Sequence, residues 1–139
     1  MYHFKVKKIC CDGYERWIKV ENYNVNNEYW LHFIEFDEYI ENNEISKKLK
    51  VGDIIKGTIK IDLVTNYEIV STDSRFIQPI DNSSHVIAIG KIIKIIDNNT
   101  LILNVNELSE NICVEFEIDI NINIGENIKI SGSLEFEMD

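Results

Sequence analysis

The residues of greatest chemical interest in this chain are six acids, spaced two apart, near its end. Glu115, Glu117 and Asp119 form one set, and Glu135, Glu137 and Asp139 form the other. Successive side chains of an extended strand point to opposite faces, so each set shares one face. The residues between them are apolar: Val114, Phe116, Ile118 and Ile120 in the first case, Leu134, Phe136 and Met138 in the second. That alternation predicts strands with an inward apolar face and an outward acidic one. Two such strands side by side put up to six carboxylates on one surface. Like charges directly opposed on a sheet cost about 0.2–1 kcal/mol per pair. A sequence that tolerates this cost is either keeping the face for a basic partner or using it for solubility.

The charge distribution sharpens the point. The 139 residues carry 24 acids against 14 bases, a net charge of −10. Residues 1–96 are nearly balanced, with 14 acids and 13 bases. Residues 97–139 hold ten acids and a single base, Lys129. Almost all the net charge therefore lies in the last third of the chain.

A second constellation sits in the first half. Aromatic residues crowd there (Tyr14, Trp17, Tyr23, Tyr29, Trp30, Phe33, Phe36 and Tyr39), close to the bases Lys5, Lys7, Lys8, Arg16 and Lys19. Aromatic rings interleaved with bases are how single-stranded nucleic acid is held, which makes Trp17, Trp30, Lys5, Lys7 and Arg16 an alternative binding face. Two arguments oppose it. A small domain needs bulky core residues, and phosphate binding calls for a positive footprint that a net −10 does not supply.

No catalytic or metal-binding pattern is present. His3, His32 and His85 are scattered, and Ser83-Ser84-His85 lacks the strand–elbow–helix setting of a nucleophile. There is no glycine-rich phosphate loop and no EF-hand spacing. Cys10, Cys11 and Cys113 make neither a disulfide framework nor a zinc pattern. No cofactor is expected. Reduced cysteines, no signal-peptide pattern at the start and no apolar run near 18 residues lead to the expectation of a cytoplasmic protein.

The elements that position these residues are mostly strands. Ile, Val, Tyr and Phe abound, and Ala88 is the only alanine. Strands are expected at 3–11 and 14–22, joined through Asp12-Gly13, and at 28–36, which is apolar on both faces. One short helix is expected at about 37–50, capped by Asp37, with Tyr39, Ile40, Ile45 and Leu49 on one face and Gly52 ending it. Further strands follow at 53–64, 66–71 (pairing with 53–64), 86–96, 100–105, 112–120 and 127–137. Gly90 marks a bend inside 86–96. The weakly patterned stretch 71–84, with the only proline, suggests a boundary between a unit at 1–80 and a second at 81–139, packed as one body. Val51-Gly52-Asp53 and Ile124-Gly125-Glu126 repeat one step, followed by Lys56 and Lys129 at equal offsets. Either an old duplication or the common punctuation of β-barrels accounts for this.

Val86-Ile87-Ala88-Ile89-Gly90-Lys91-Ile92-Ile93-Lys94-Ile95-Ile96, together with Val51-Gly52-Asp53-Ile54-Ile55-Lys56-Gly57, resembles the small β-barrels of the OB-fold. The resemblance implies a first strand that bends at a glycine and serves both sides of a barrel. It carries no catalytic residue, and such barrels bind nucleic acids, sugars or proteins. The fold class is thus mainly β, with one or two OB-like barrel units and one short helix. The composition also resembles that of acidic bacterial immunity proteins, which block nuclease toxins. The functional expectation is a non-enzymatic protein-binding module, an acidic immunity or inhibitor protein that neutralises a basic toxin or nuclease. The alternatives are an OB-type single-stranded nucleic-acid binder and a structural or assembly domain.

Overall fold

A computed structural model describes residues 2–42 and 44–139. It is an all-β molecule of ten strands. These are β1 (Tyr2–Asp12), β2 (Glu15–Asn22), β3 (Asn27–Ile34), β4 (Ile54–Val64), β5 (Glu68–Val70), β6 (Arg75–Ile77), β7 (His85–Asp97), β8 (Thr100–Val105), β9 (Ser109–Phe116) and β10 (Asn127–Met138). Their burial alternates as the sequence pattern requires. In β4, Ile55, Ile59 and Ile61 are buried; in β10, Ile128, Ile130, Leu134 and Phe136 are.

The pairings close two circuits of five strands. In the first, β1 pairs with β2, β2 with β3, β3 with β10, β10 with β4, and β4 with β1. In the second, β7 pairs with β8, β8 with β9, β9 with β4, β4 with β10, and β10 with β7. Both circuits share β4 and β10. Each has one parallel contact, β3 with β10 and β4 with β9, and the remaining contacts are antiparallel. The 80/81 division falls between β6 and β7, yet β10 pairs with strands on both sides of it. One hydrophobic core runs through both circuits, from Phe4 and Tyr29 to Leu103 and Phe136.

The repeated Val/Ile-Gly-Asp/Glu step is one structural device used twice. Val6 donates its N–H to the Asp53 carbonyl and accepts from Gly52 N–H, at 2.9 and 2.8 Å. Ile92 does the same with Glu126 and Gly125, at 2.9 and 2.9 Å. Asp53 and Glu126 each accept from the backbone N–H three residues before them, at 2.9 Å. Gly52 and Gly125 have φ of +96° and +92°, a region where a side chain is strained. Val6 and Ile92 are 86 residues apart, whereas Gly52 and Gly125 are 73 apart. The first half has the longer connection because it contains the loop between β3 and β4.

That loop corrects the expectation of a helix at 37–50. There is no helix among the described residues. The backbone N–H groups of Lys47 and Lys48 bond the Glu38 carboxylate instead of carbonyls one turn back. Gly13 and Ile40 exchange two backbone hydrogen bonds of 3.0 Å, which ties the loop to the β1–β2 turn. Ile40 and Leu49 are buried while Tyr39 and Ile45 are exposed, so the supposed apolar face is split. The pattern of apolar residues fitted a helix, but a buried guanidinium, Arg16, drew the loop around it.

Smaller differences have similar causes. The turn after β1 falls at Gly13-Tyr14, since Asp12 pairs with Glu15. β5 pairs with β10 rather than with β4. β9 ends at Phe116, so the continuous alternation through Ile120 is not all strand. Gly90 lies where β7 passes from β10 to β8. A Cβ there would meet the Asn104 carbonyl oxygen at 2.6 Å, so only glycine lets the strands approach.

Candidate functional site on the outer face of the shared strands

β4 lies between the two acidic strands, β9 on one side and β10 on the other. Lys60 stands opposite Glu135 of β10 and Cys113 of β9. Ile59 and Ile61 point into the core, so Lys60 and Asp62 point outward. The Lys60 ammonium reaches Glu137 at 3.0 Å, Asp62 at 3.4 Å and Glu115 at 3.7 Å. Three carboxylates from three strands thus surround one cation.

The electrostatics of this cluster are unbalanced. Partial burial opposes the Lys60 charge, but Glu137, Asp62 and Glu115 outweigh it and raise its pKa. Burial pushes the Asp62 carboxyl up to about 6; Lys60 pulls it down and neighbouring Glu115 adds to the rise. Asp62 Oδ1 is buried and has no hydrogen-bond partner among the described residues. Burial likewise raises the Cys113 thiol, with Glu115 adding to the effect, so it is not primed as a thiolate nucleophile.

The same row extends across the sheet. Glu135 is opposed by His32 of β3, and His32 by Trp17 of β2. His32 Nδ1 is 2.7 Å from Glu135 and its Nε2 is 3.2 Å from Glu15. The Glu135 hydrogen bond raises the His32 pKa, against the opposing effect of burial. The Trp17 and His32 rings stack obliquely, with centroids 5.3 Å apart. Ser133 donates to the other Glu135 oxygen at 2.6 Å. Glu135 is therefore committed to local partners, while Glu115 and Glu137 remain more than half exposed.

The six acids singled out in the sequence separate into groups. Glu115, Glu135 and Glu137 meet on the outer face around β4. Glu117 lies just past β9, where its N–H bonds the Val64 carbonyl. Asp119 lies beyond the strand and accepts from Asn98 at 3.1 Å. Asp139 follows the end of β10, its N–H on the Lys56 carbonyl. Sequence reasoning missed Lys60, Asp62 and His32. The alternation of β4 marks Lys60 and Asp62 as outward, but nothing local reveals that β4 separates the acidic strands.

The alternative face disperses. Arg16 is 1% exposed, and its guanidinium donates to the carbonyls of Gly13, Glu15 and Glu38 and to the Glu38 carboxylate. Trp30 is 4% exposed. Lys7 pairs with Glu21 at 3.6 Å. Lys5 lies on β1 opposite Glu21 and Ile54. Of the five, only Trp17 joins the row that runs to Lys60.

The arrangement can bind cationic groups at exposed carboxylates. Among the described residues, no three His, Cys, Asp or Glu side chains converge as a metal site would require. No described helix is long and apolar enough to cross a membrane. No family model matches the chain, no curated protein matches it, and no solved structure matches it.

Proposed function

We propose that this chain is a non-enzymatic protein-binding module whose carboxylate face takes a basic surface of a partner. One observation carries the reading: Asp62, Glu115 and Glu137 converge from three strands on the single cation Lys60. The surplus carboxylates cost stability where they are, and a partner's Lys or Arg side chains would relieve it. Their field, in a chain of net charge −10, would steer a basic protein onto this face. The specific form we favour is an acidic immunity or inhibitor protein of the cytoplasm that occludes a basic toxin or nuclease. The two five-strand circuits support reading each as an OB-type barrel. In each, the first strand, β1 or β7, pairs on both sides, and β7 makes its transition at Gly90.

The test is capture from a lysate of the source cells, with wild type and with Glu115→Lys/Glu137→Lys. The expected result is a basic protein held by wild type at low salt, released at high salt, and not held by the variant. Equal retention by the variant would place the partner surface elsewhere.

A further inference from the structure

β3 has β2 along one side for its whole length, but β10 joins its other side only at His32. Beyond that point, from Asn27 to Leu31, no strand pairs with this edge among the described residues. Such an edge is a template for another chain. A side chain fills it instead. The Gln78 carboxamide oxygen accepts from Trp30 N–H at 2.7 Å, and its Nε2 donates to the Trp30 carbonyl at 2.8 Å. One carboxamide thus reproduces the donor and acceptor that a neighbouring strand would offer. A cleft of about 450 Å³ runs along this edge, between β3 and residues 76–81. Its rim carries Glu28, Asp81 and Glu107 against a single cation, Lys19. Phe76, Pro79 and Ile80 supply apolar walls.

We infer that this cleft is a strand-addition site for an extended basic peptide segment, with Gln78 acting as an internal stand-in for it. The backbone of the incoming segment takes the two Trp30 hydrogen bonds as Gln78 swings away. Alternate side chains of the segment then point at the apolar walls and at the acidic rim. The occupant is basic because the rim carries three carboxylates and one ammonium. This site lies apart from the face around Lys60 and stands or falls separately from it.

The test is a backbone-amide NMR titration of the full chain, wild type and Gln78→Ala, with a short alternating Lys-Val peptide and its Glu-Val counterpart. Removing the competing carboxamide should tighten the Lys-Val peptide by about tenfold over wild type. The Trp30 amide should shift and gain protection from exchange, and the Glu-Val peptide should do neither. A companion variant, Asp81→Lys/Glu107→Lys, leaves the β3 backbone untouched and should weaken the Lys-Val peptide. Equal binding by wild type and Gln78→Ala would overturn the proposal. So would shifts confined to the residues around Lys60, or binding of neither peptide to a folded Gln78→Ala protein. Self-association of Gln78→Ala through the Trp30 edge would overturn it too, by making a second copy the occupant.

Discussion

Two ion clusters in this molecule are built on opposite plans. At Arg16 the charge is buried and each terminal nitrogen has two acceptors. The guanidinium has three carbonyls and one carboxylate, and that carboxylate, Glu38, is held by Ser46, Lys47 and Lys48 as well. The Ser46 hydroxyl, the two backbone N–H groups and Arg16 keep the Glu38 carboxyl at about 2, against the effect of burial. At Lys60 the acids outnumber the cation, one carboxylate oxygen has no hydrogen-bond partner among the described residues, and Asp62 is driven up to about 6. The first cluster folds a loop. The second carries more acids than its one cation balances. The balanced cluster is a structural joint, and the unbalanced one at the surface is what the proposed binding face rests on.

The comparison breaks most visibly at the balanced cluster. Arg16→Ala removes the centre around which the 35–50 loop is wrapped and should cost about 3 kcal/mol of unfolding free energy by denaturant titration. At the unbalanced cluster, Lys60→Met leaves Asp62, Glu115 and Glu137 without their cation. It should cost about 1–2 kcal/mol near neutral pH, and less in acid as Asp62 takes up its proton.

Asp62→Asn should act in the other direction. The folded pKa of Asp62 lies above its unfolded value of 3.8, so the folded chain binds the extra proton between 3.8 and about 6. Stability contributed by this group therefore falls as pH rises through that window. The variant should gain about 1 kcal/mol at pH 7.5, and no gain should remain below the unfolded pKa. Glu38 has the opposite sign. Its folded pKa is depressed below 4.5, so its contribution is complete above that value and is lost as pH falls toward about 2. A thermal-melting series against pH separates the two. The smallest effect belongs to Glu117→Gln, outside both clusters, which should stay within about 0.5 kcal/mol of wild type.

Much of the strand content was legible in the sequence, because a period-two pattern is a local property. The expected strands at 100–105 and 127–137 match β8 and β10 closely, and Val114, Phe116, Leu134 and Phe136 are buried as their alternation implies. The loop at 37–50 was not legible. Its helical spacing is local, whereas the Arg16 side chain that overrides it arrives from another strand. The site was half legible for the same reason. Glu115 and Glu137 were visible as outward acids, but their meeting at Lys60 depends on β4 lying between β9 and β10, a long-range pairing. Trp30 shows the limit of composition: an aromatic among bases reads as a stacking platform, yet its side chain is buried and its backbone is bonded to Gln78 at the β3 edge.

The contrast between the balanced cluster and the surplus one is measured in one experiment, a side-chain carboxyl NMR titration of the wild-type protein. The expected result is that Glu38 titrates at about 2 and Asp62 at about 6. Finding both carboxyls in the ordinary range, near their values in an unfolded chain, would contradict it and leave the face around Lys60 as a solvated surface.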